Sequence, residues 1–389
     1  MAKHEPWGPM AVHGSGRYTF FRRTVIGFYI VAILGLALLM VVHETGHLAA
    51  ARAFGMRVLR FSIGFGPPLW RYQSKKSGTV YQVAPIPFVA YVQIDGMNPF
   101  EEADPDDKGS YANASLLGRI VTIFAGPLAN YLFASVLFFV AFFVGGETVP
   151  TTTVELLDGP AKAAQMQNGD TIVAIDGVAV TDWEQMRSLI LARSGKALNV
   201  EVTRGAERKT FSVVPVVREG RAMIGVAPVY KHVSLGARES LIRSVESPAM
   251  VVAQLVTGVG RMLAGKEKPQ LTGPVGIVKE AKRAAERSFT EYFRLLAILS
   301  AYLGGFNLLP IPALDGARLG FLGYEAVTRR KPNAKVEAQV HFVGLLMLLA
   351  LIFVVSSKEL FSHEEGPGGA APARPANSAT SPAAPKPKP

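Results

Sequence analysis

Four runs of apolar residues stand out along the chain, and polar or turn-rich stretches separate them. They cover residues 24–42, 120–144, 295–309 and 340–355. A helix that crosses a bilayer needs about 20 mostly apolar residues, and the first two runs come close to or exceed that length without a charge. The last two runs are shorter but adequate. The pattern predicts a mostly α-helical polytopic membrane protein with about four transmembrane helices.

Between the first two runs, residues 79–92 alternate apolar and polar positions and are rich in β-branched side chains, which predicts short strands. The turn Gly64-Phe65-Gly66-Pro67 precedes them. A plain surface loop is one interpretation of this region. Its aromatic side chains exceed what a solvated loop needs, so we expect a β-loop that dips toward the membrane.

After the second run the composition becomes that of a soluble domain, with a helical pattern at Asp182–Arg193 and strand patterns at Leu198–Arg204 and Lys209–Val216. This predicts one small inserted α+β domain. The next stretch is amphipathic and is expected to form an interfacial helix or, as an open alternative, a packed one. The Pro- and Ala-rich end of the chain should be disordered.

These boundaries divide the chain into six regions. They are a polar N-terminus (1–23), a first membrane part (24–144), the inserted domain (145–230), an amphipathic linker (231–290), a second membrane part (291–356) and a tail (357–389).

Composition agrees with a membrane protein, since 49% of the 389 residues are hydrophobic and the mean hydropathy is +0.25. The net charge of +11 raises the possibility of nucleic-acid binding. However, the basic residues lie mainly beside apolar runs, which suits anionic lipid headgroups better. The bilayer is therefore an expected partner and nucleic acid is not. Because the chain has no cysteine, any metal must be held by nitrogen and oxygen.

The first apolar run ends in His43-Glu44-Thr45-Gly46-His47. On a helix, histidines at i and i+4 project from one face and can bind a single metal ion, with zinc the usual choice. Glu44 could then accept the proton of an attacking water. A chance cluster on a solvated helix is the alternative, but ionisable groups at membrane depth are costly unless they have a function. Arg22 and Arg23 before this run resemble a signal peptide, yet cleavage near Ala51 would discard the motif, so we predict an uncleaved helix to about Ala53.

Two histidines leave a zinc ion in need of a third protein ligand. The third run ends at two prolines, Pro310 and Pro312, which stop the helix and are followed by Asp315-Gly316. After Glu44, Asp315 is the only acid embedded in an apolar span, so we predict it as the third ligand. An ordinary Asp-Gly turn is the alternative. The acidic cluster that precedes the second run is more typical of a solvated turn (Glu101, Glu102, Asp104, Asp106, Asp107).

The second run contains Ala125-Gly126-Pro127 followed by Asn130, a polar residue that needs a partner inside a membrane. Asn130 could join two helices or hold the substrate backbone. His341, at the start of the last run, is expected at the interface and not at the metal.

Taken in order, the His43-Glu44-x-x-His47 motif, the Ala125-Gly126-Pro127-x-x-Asn130 motif, a PDZ-like insert and the Asn307-x-x-Pro310-x-Pro312-x-x-Asp315-Gly316 motif resemble the site-2 protease family. The branch that they resemble is that of the regulator of sigma-E protease. The PDZ part of the resemblance rests on the Gly169-Asp170 and Asp176-Gly177 turns. The similarity covers about residues 24–355.

The resemblance implies an intramembrane zinc metalloprotease of the bacterial inner membrane. Its substrate would be a membrane-anchored protein of the anti-sigma-factor kind, cut during regulated intramembrane proteolysis. His43, His47 and Asp315 would bind zinc, and Glu44 would be the general base. Asn307 would hold substrate backbone, and Gly64, Phe65, Gly66 and Pro67 would belong to the family's membrane-reentrant β-loop. Two departures are a single PDZ-like domain, where some members have two, and Ala317-Arg318 after Asp315-Gly316.

Lysine and arginine counts predict that the first and third connections are cytoplasmic, with the active site near that face and the PDZ-like domain outside. Arg22 and Arg23 argue the other way. The basic residues concerned are Arg52, Arg57, Arg60, Arg71, Lys75, Lys76 and Arg119 in the first connection and Arg318, Arg329, Arg330, Lys331 and Lys335 in the third. Two other classes of function stay open: a non-catalytic membrane scaffold that binds peptides through its PDZ-like domain, and a metal-ion transporter. A scaffold would not need Glu44, and a transporter would need more intramembrane acids or histidines.

Overall fold

The computed structural model describes residues 15–87, 89–98, 104–218, 221–266 and 272–361. The chain forms two compact units. Of the described residues, one unit contains those up to Val144 and those from Arg238 to Phe361, and the other is Gly145–Ala237. The N-terminal residues 1–14, Glu101 and Glu102 of the acidic cluster, and the tail after residue 361 lie outside the described residues.

The helices, in chain order, are α1 (Ser15–Ala53), α2 (Leu116–Gly145), α3 (Pro160–Ala163), α4 (Trp183–Ala192), α5 (Ala237–Leu263), α6 (Pro274–Arg287), α7 (Phe289–Asn307), α8 (Asp315–Thr328) and α9 (Ala334–Phe361). The strands are β1 (Val58–Ile63), β2 (Trp70–Gln73), β3 (Val80–Val83), β4 (Tyr91–Ile94), β5 (Glu147–Leu156), β6 (Thr171–Ile175), β7 (Val178–Ala179), β8 (Leu198–Arg204), β9 (Glu207–Val213), β10 (Val216–Arg218), β11 (Arg221–Met223) and β12 (Val226–Val233).

Within the described part of the chain, three helical segments are long and apolar enough to cross a membrane: Ile26–Ala53, Leu116–Gly145 and Ala334–Glu359. They coincide with the first, second and last apolar runs, which supports a membrane protein. The third run lies in α7, whose first turns carry Glu291 and Arg294. A fourth span therefore remains a prediction. Pro127 lies inside α2 without ending it.

The region predicted as an amphipathic linker forms α5 and α6. Helix α6 contacts α1, α7 and α9 and buries Ala281 and Ala284. At its start, the Glu359 carboxylate of α9 accepts hydrogen bonds from the backbone N–H groups of Gly273 (2.6 Å) and Gly276 (3.1 Å). A carboxylate at a helix N-terminus satisfies free N–H groups and complements the helix dipole. These contacts favour the packed alternative for α6.

The strands predicted after α1 form a four-stranded sheet in the order β2-β3-β1-β4. Strand β1 pairs in parallel with β3 and antiparallel with β4, so β4 is an edge strand. The sheet shares a hydrophobic core with α1, α2 and α8. The buried side chains of this core are Leu48, Ala51, Met56, Val58, Phe61, Ile94, Tyr111, Ile123 and Leu322. The sheet is thereby fixed beside the C-terminal part of α1.

The second unit is built on a sheet in the order β12-β5-β6-β8-β9, with β7 added on β6. The predicted helix at Asp182–Arg193 is confirmed: Asp182 caps α4 by accepting the Gln185 N–H at 2.9 Å. The predicted strand Leu198–Arg204 is β8. Because β12 pairs with β5, the unit continues to Ala237, beyond residue 230. Whether this α+β unit is a PDZ domain remains a prediction.

Two polar clusters have structural partners. Arg57 binds Asp107 through two hydrogen bonds of 2.9 and 3.0 Å and also pairs with Asp95, which agrees with a solvated turn. In the second unit, the fully buried Asp170 carboxylate accepts two hydrogen bonds from Arg204, at 2.7 and 2.9 Å.

Candidate metal centre

Helix α1 carries His43, Glu44 and His47 near its C-terminal end. Its i,i+4 spacing brings the two imidazoles together, with ring centroids 4.8 Å apart and ring planes nearly perpendicular. Both histidines are buried. Their Nε2 atoms are 3.2 Å apart, so two free ring nitrogens converge on one point.

The third side chain comes from a distant part of the chain. Helix α7 ends at Asn307, the two prolines carry the chain around a turn, and α8 begins at Asp315. The Asp315 Oδ2 atom lies 3.1 Å from Nε2 of His43 and 3.4 Å from Nε2 of His47. The two histidines and the aspartate together are the one group of three potential metal-binding side chains found among the described residues.

This triangle fits a zinc ion. Zinc bonds of about 2.0–2.1 Å in tetrahedral geometry place neighbouring ligand atoms about 3.3 Å apart. The three distances of 3.1, 3.2 and 3.4 Å match that spacing. Two imidazoles and one carboxylate also form a donor set typical of catalytic zinc, which leaves a fourth position open.

The orientation of His47 is fixed by α2. Its Nδ1–H donates to the backbone carbonyl of Thr122 at 2.8 Å, which leaves Nε2 free to bind a metal. The ring also lies against Gly126, where an added Cβ would be only 2.3 Å from Nε2. Gly126 therefore makes the space that this histidine occupies.

Glu44 has a partner on the edge of the sheet. Its Oε2 atom accepts a hydrogen bond of 2.9 Å from the backbone N–H of Val92 in β4. Since β4 has a neighbour on one side only, this N–H points away from the sheet toward α1. The predicted general base and the free edge of a β-sheet are therefore adjacent.

The other predicted site residues lie in different places. Asn130 is fully buried on α2 beside Gly304 of α7, and its amide atoms have no hydrogen-bond partner among the described residues. Asn307 is the last residue of α7. Phe65 exchanges backbone hydrogen bonds with Ile86, so the pairing of the sheet continues past β1 into residues 64–67.

Several contributors to this centre were not predicted. Thr122 and Val92 act through backbone atoms, for which residue type gives no signal. His341 was expected at the interface, and the structure places its Nδ1 atom 3.3 Å from the backbone N of Ala313, two residues before Asp315. Arg119 was counted as a loop charge, whereas it is buried in α2 and paired with Glu325.

Comparison with known proteins gives one family. A family model described as peptidase family M50 matches residues 31–351. A protein of Nostoc sp. that is provisionally named a zinc metalloprotease is 33% identical over 350 residues, which cover 84% of this chain and 94% of that protein.

Two further relatives carry similar names. A provisionally named zinc metalloprotease of Mesorhizobium japonicum is 32% identical over 369 residues, covering 88% of this chain and 99% of that protein. The zinc metalloprotease RasP of Geobacillus kaustophilus is 28% identical over 417 residues, covering 87% and 97%.

Proposed function

Because the chain belongs to peptidase family M50, the site-2 protease family, and is a zinc metalloprotease, we propose that it cuts a membrane-anchored protein in or near its transmembrane segment. The observation that carries this proposal is the meeting of His43, His47 and Asp315 at the end of a helix apolar enough to span a bilayer. A hydrolytic centre in that position would act on peptide bonds at membrane depth.

His43, His47 and Asp315 would hold the zinc ion, and Glu44 is the general base. A zinc ion bound there would supply a Lewis acid that can polarise the scissile carbonyl and lower the pKa of water. Glu44 takes the proton of the attacking water and returns it to the leaving amine. The hydrogen bond from Val92 supports this role because it aims the carboxylate from a fixed point on the sheet.

The edge strand β4 presents the substrate. A transmembrane helix keeps its peptide groups in internal hydrogen bonds, so a protease must first extend it. An extended segment that pairs with a free sheet edge keeps its backbone hydrogen-bonded while its peptide bonds become accessible. Strand β4 is such an edge, and its Val92 N–H contacts Glu44. Gly64, Phe65, Gly66 and Pro67 prolong this sheet into the membrane, which the half-exposed side chain of Phe65 supports.

Asn130 and Asn307 bind substrate backbone. Support for Asn130 comes from its burial with an unpartnered amide, which is costly in an apolar environment unless a ligand or water completes it. Asn307 stands at the end of α7, where the turn toward Asp315 begins.

The unit Gly145–Ala237 is a PDZ-like domain that selects substrates by adding an extended peptide to its sheet. We place it outside the bacterial inner membrane and the zinc centre near the cytoplasmic face, as the positive charges of the connecting loops indicate. The substrate class that fits this arrangement is a single-span anti-sigma factor, processed in regulated intramembrane proteolysis.

The test compares wild type with Glu44→Gln on a co-expressed single-span substrate of the anti-sigma-factor kind, with zinc content measured in both proteins. A glutamine keeps an oxygen that can accept the Val92 N–H, so the exchange removes the proton acceptor and little else. We expect full zinc content and a loss of cleavage of at least about 100-fold, within the range that general base catalysis contributes.

One control variant and two contrary outcomes complete the test. Asp315→Ala should lose zinc and activity together, which separates the ligand from the base. Equal cleavage by wild type and Glu44→Gln would contradict the proposed mechanism. Binding of the substrate by both proteins without cleavage by either would favour the peptide-binding scaffold.

A further inference from the structure

The turn that delivers Asp315 contains an unfavourable backbone conformation. Ala313 has a φ of +75°, in the left-handed region that residues with a Cβ seldom adopt. Such a conformation persists only where surrounding contacts impose it. Because Asp315 is two residues away, the contacts that hold Ala313 also determine where the carboxylate lies.

One of these contacts comes from His341 on α9. The Ala313 N–H donates to Nδ1 of His341 at 3.3 Å, so this ring nitrogen is the acceptor and the proton of the neutral ring is on Nε2. Nε2 is buried and has no hydrogen-bond partner among the described residues. The ring therefore has no other described polar contact to orient it, and its direct partner is the strained turn.

A second contact lies one turn further along α9. An added Cβ on Gly344 would be 2.2 Å from Cβ of Pro312 and 2.6 Å from its carbonyl carbon, well inside van der Waals distance. His341 and Gly344 are three residues apart and share one face of the helix. That face contacts both Pro312 and Ala313, and the contact with Pro312 leaves no room for a side chain at position 344.

We propose that His341 and Gly344 of α9 are positioning residues that hold the Pro312-Ala313 turn, and through it Asp315, at the metal centre. Neither residue belongs to the group of His43, His47 and Asp315 that could hold the metal. The inference rests on the proposed role of Asp315 as a ligand. It assigns to the last membrane helix, which the mechanism does not otherwise use, control over the third ligand.

The experiment measures zinc affinity of the purified full chain in detergent by competition with a chelator, together with the visible absorption of the cobalt-substituted protein, which reports ligand geometry. We expect His341→Leu and Gly344→Ala to weaken zinc binding by about 10- to 100-fold, as changes behind a metal ligand do. His341→Asn should recover most of the affinity, because its Oδ1 can replace Nδ1 as the acceptor. Cobalt absorption should change in parallel.

Gly320→Ala is the matched control, since nothing lies within 4 Å of the added methyl group. Wild-type affinity in His341→Leu and Gly344→Ala would overturn the inference, and so would equal losses in Gly320→Ala or no recovery in His341→Asn. Asp315→Ala separates the two proposals. If Asp315→Ala loses zinc while the α9 variants bind it normally, only the positioning role of α9 is contradicted. If Asp315→Ala itself keeps zinc, the role of Asp315 as a ligand is contradicted too.

Discussion

At the scale of single residues, the metal centre depends on backbone atoms and on the absence of a side chain. Thr122 orients His47 through its carbonyl, and Val92 orients Glu44 through its N–H. Gly126 lets α2 approach α1 closely enough for the His47 ring to lie on its backbone. A substitution at such a neighbouring residue can therefore displace the candidate ligands even though the two histidines and the aspartate are unchanged.

Gly126→Ala tests this dependence. The new Cβ would lie 2.3 to 2.8 Å from three atoms of the His47 ring, so the ring must move and Nε2 must leave its place. We expect zinc affinity to fall by about 10- to 100-fold, the range for disturbed support of a ligand. Chelator competition on the purified protein measures it. Gly27→Ala, whose added methyl meets nothing within 4 Å, should bind zinc normally, and equal affinity in both variants would refute the argument.

At the scale of elements, α8 is the helix that must be held in place, because it begins with Asp315. Arg119 of α2 and Glu325 of α8 form a buried ion pair with one hydrogen bond of 3.0 Å and a second, shorter one. The exposed fraction of the side chain is 9% for Arg119 and 11% for Glu325. The pair joins the helix of the third ligand to the helix that orients His47.

Glu325→Ala should destabilise the protein by about 3–5 kcal/mol, because removal of one partner leaves a buried charge without compensation. Replacement of both partners by apolar residues, Arg119→Met with Glu325→Leu, should restore much of the loss. Chemical unfolding in detergent micelles of wild type, Arg119→Met, Glu325→Leu and the double variant forms a double-mutant cycle that measures the coupling. If the double variant lost as much stability as Arg119→Met and Glu325→Leu together, the ion pair would contribute no coupling free energy, which would contradict this prediction.

At the scale of the whole molecule, the unit Gly145–Ala237 has a core of its own, formed by side chains of β5, β6, β8, β9 and α4. Beside this core, the hydrogen bonds from Arg204 hold the pKa of the buried Asp170 carboxyl below its ordinary value. In the unfolded chain the pKa of that carboxyl is about 3.9. A lowered pKa in the folded state stabilises the unit above that pH, and the contribution is lost as the pH falls through the folded value.

Acid should therefore unfold this unit with a dependence on Asp170. We expect the stability of wild type to decline below about pH 4. Asp170→Asn should lower stability at neutral pH and flatten this decline. Fluorescence of Trp183, which packs against the unit's core, reports the unfolding once Trp7 and Trp70 are replaced by phenylalanine. Asp158→Asn is the control, because its exposed carboxylate pairs with Lys162 at the surface; the same acid profile in both variants would contradict the assignment.

The pattern of residues determined the elements and the chemistry. Apolar runs predicted the helical segments around residues 24–53, 120–144 and 340–355, because a spanning helix must be continuously apolar. The capped helix α4 and strand β8 followed from local periodicity. Helix geometry predicted that His43 and His47 share one face, and Asp315 was predicted because it is the acid that follows an apolar run. These are local properties or matters of residue type, and a sequence contains both.

The tertiary structure alone decided which groups face each other across the fold. The triangle of His43, His47 and Asp315 joins residues 272 positions apart, and its 3.1 Å edge depends on how α8 is held. The bond from Val92 to Glu44, the buried partner of Arg119 and the contact of His341 with Ala313 carry no pattern along the chain. Such contacts arise from the packing of helices and a sheet edge, where backbone atoms act irrespective of side chain. For that reason the sequence predicted the candidate ligands, and the packing determined what positions them.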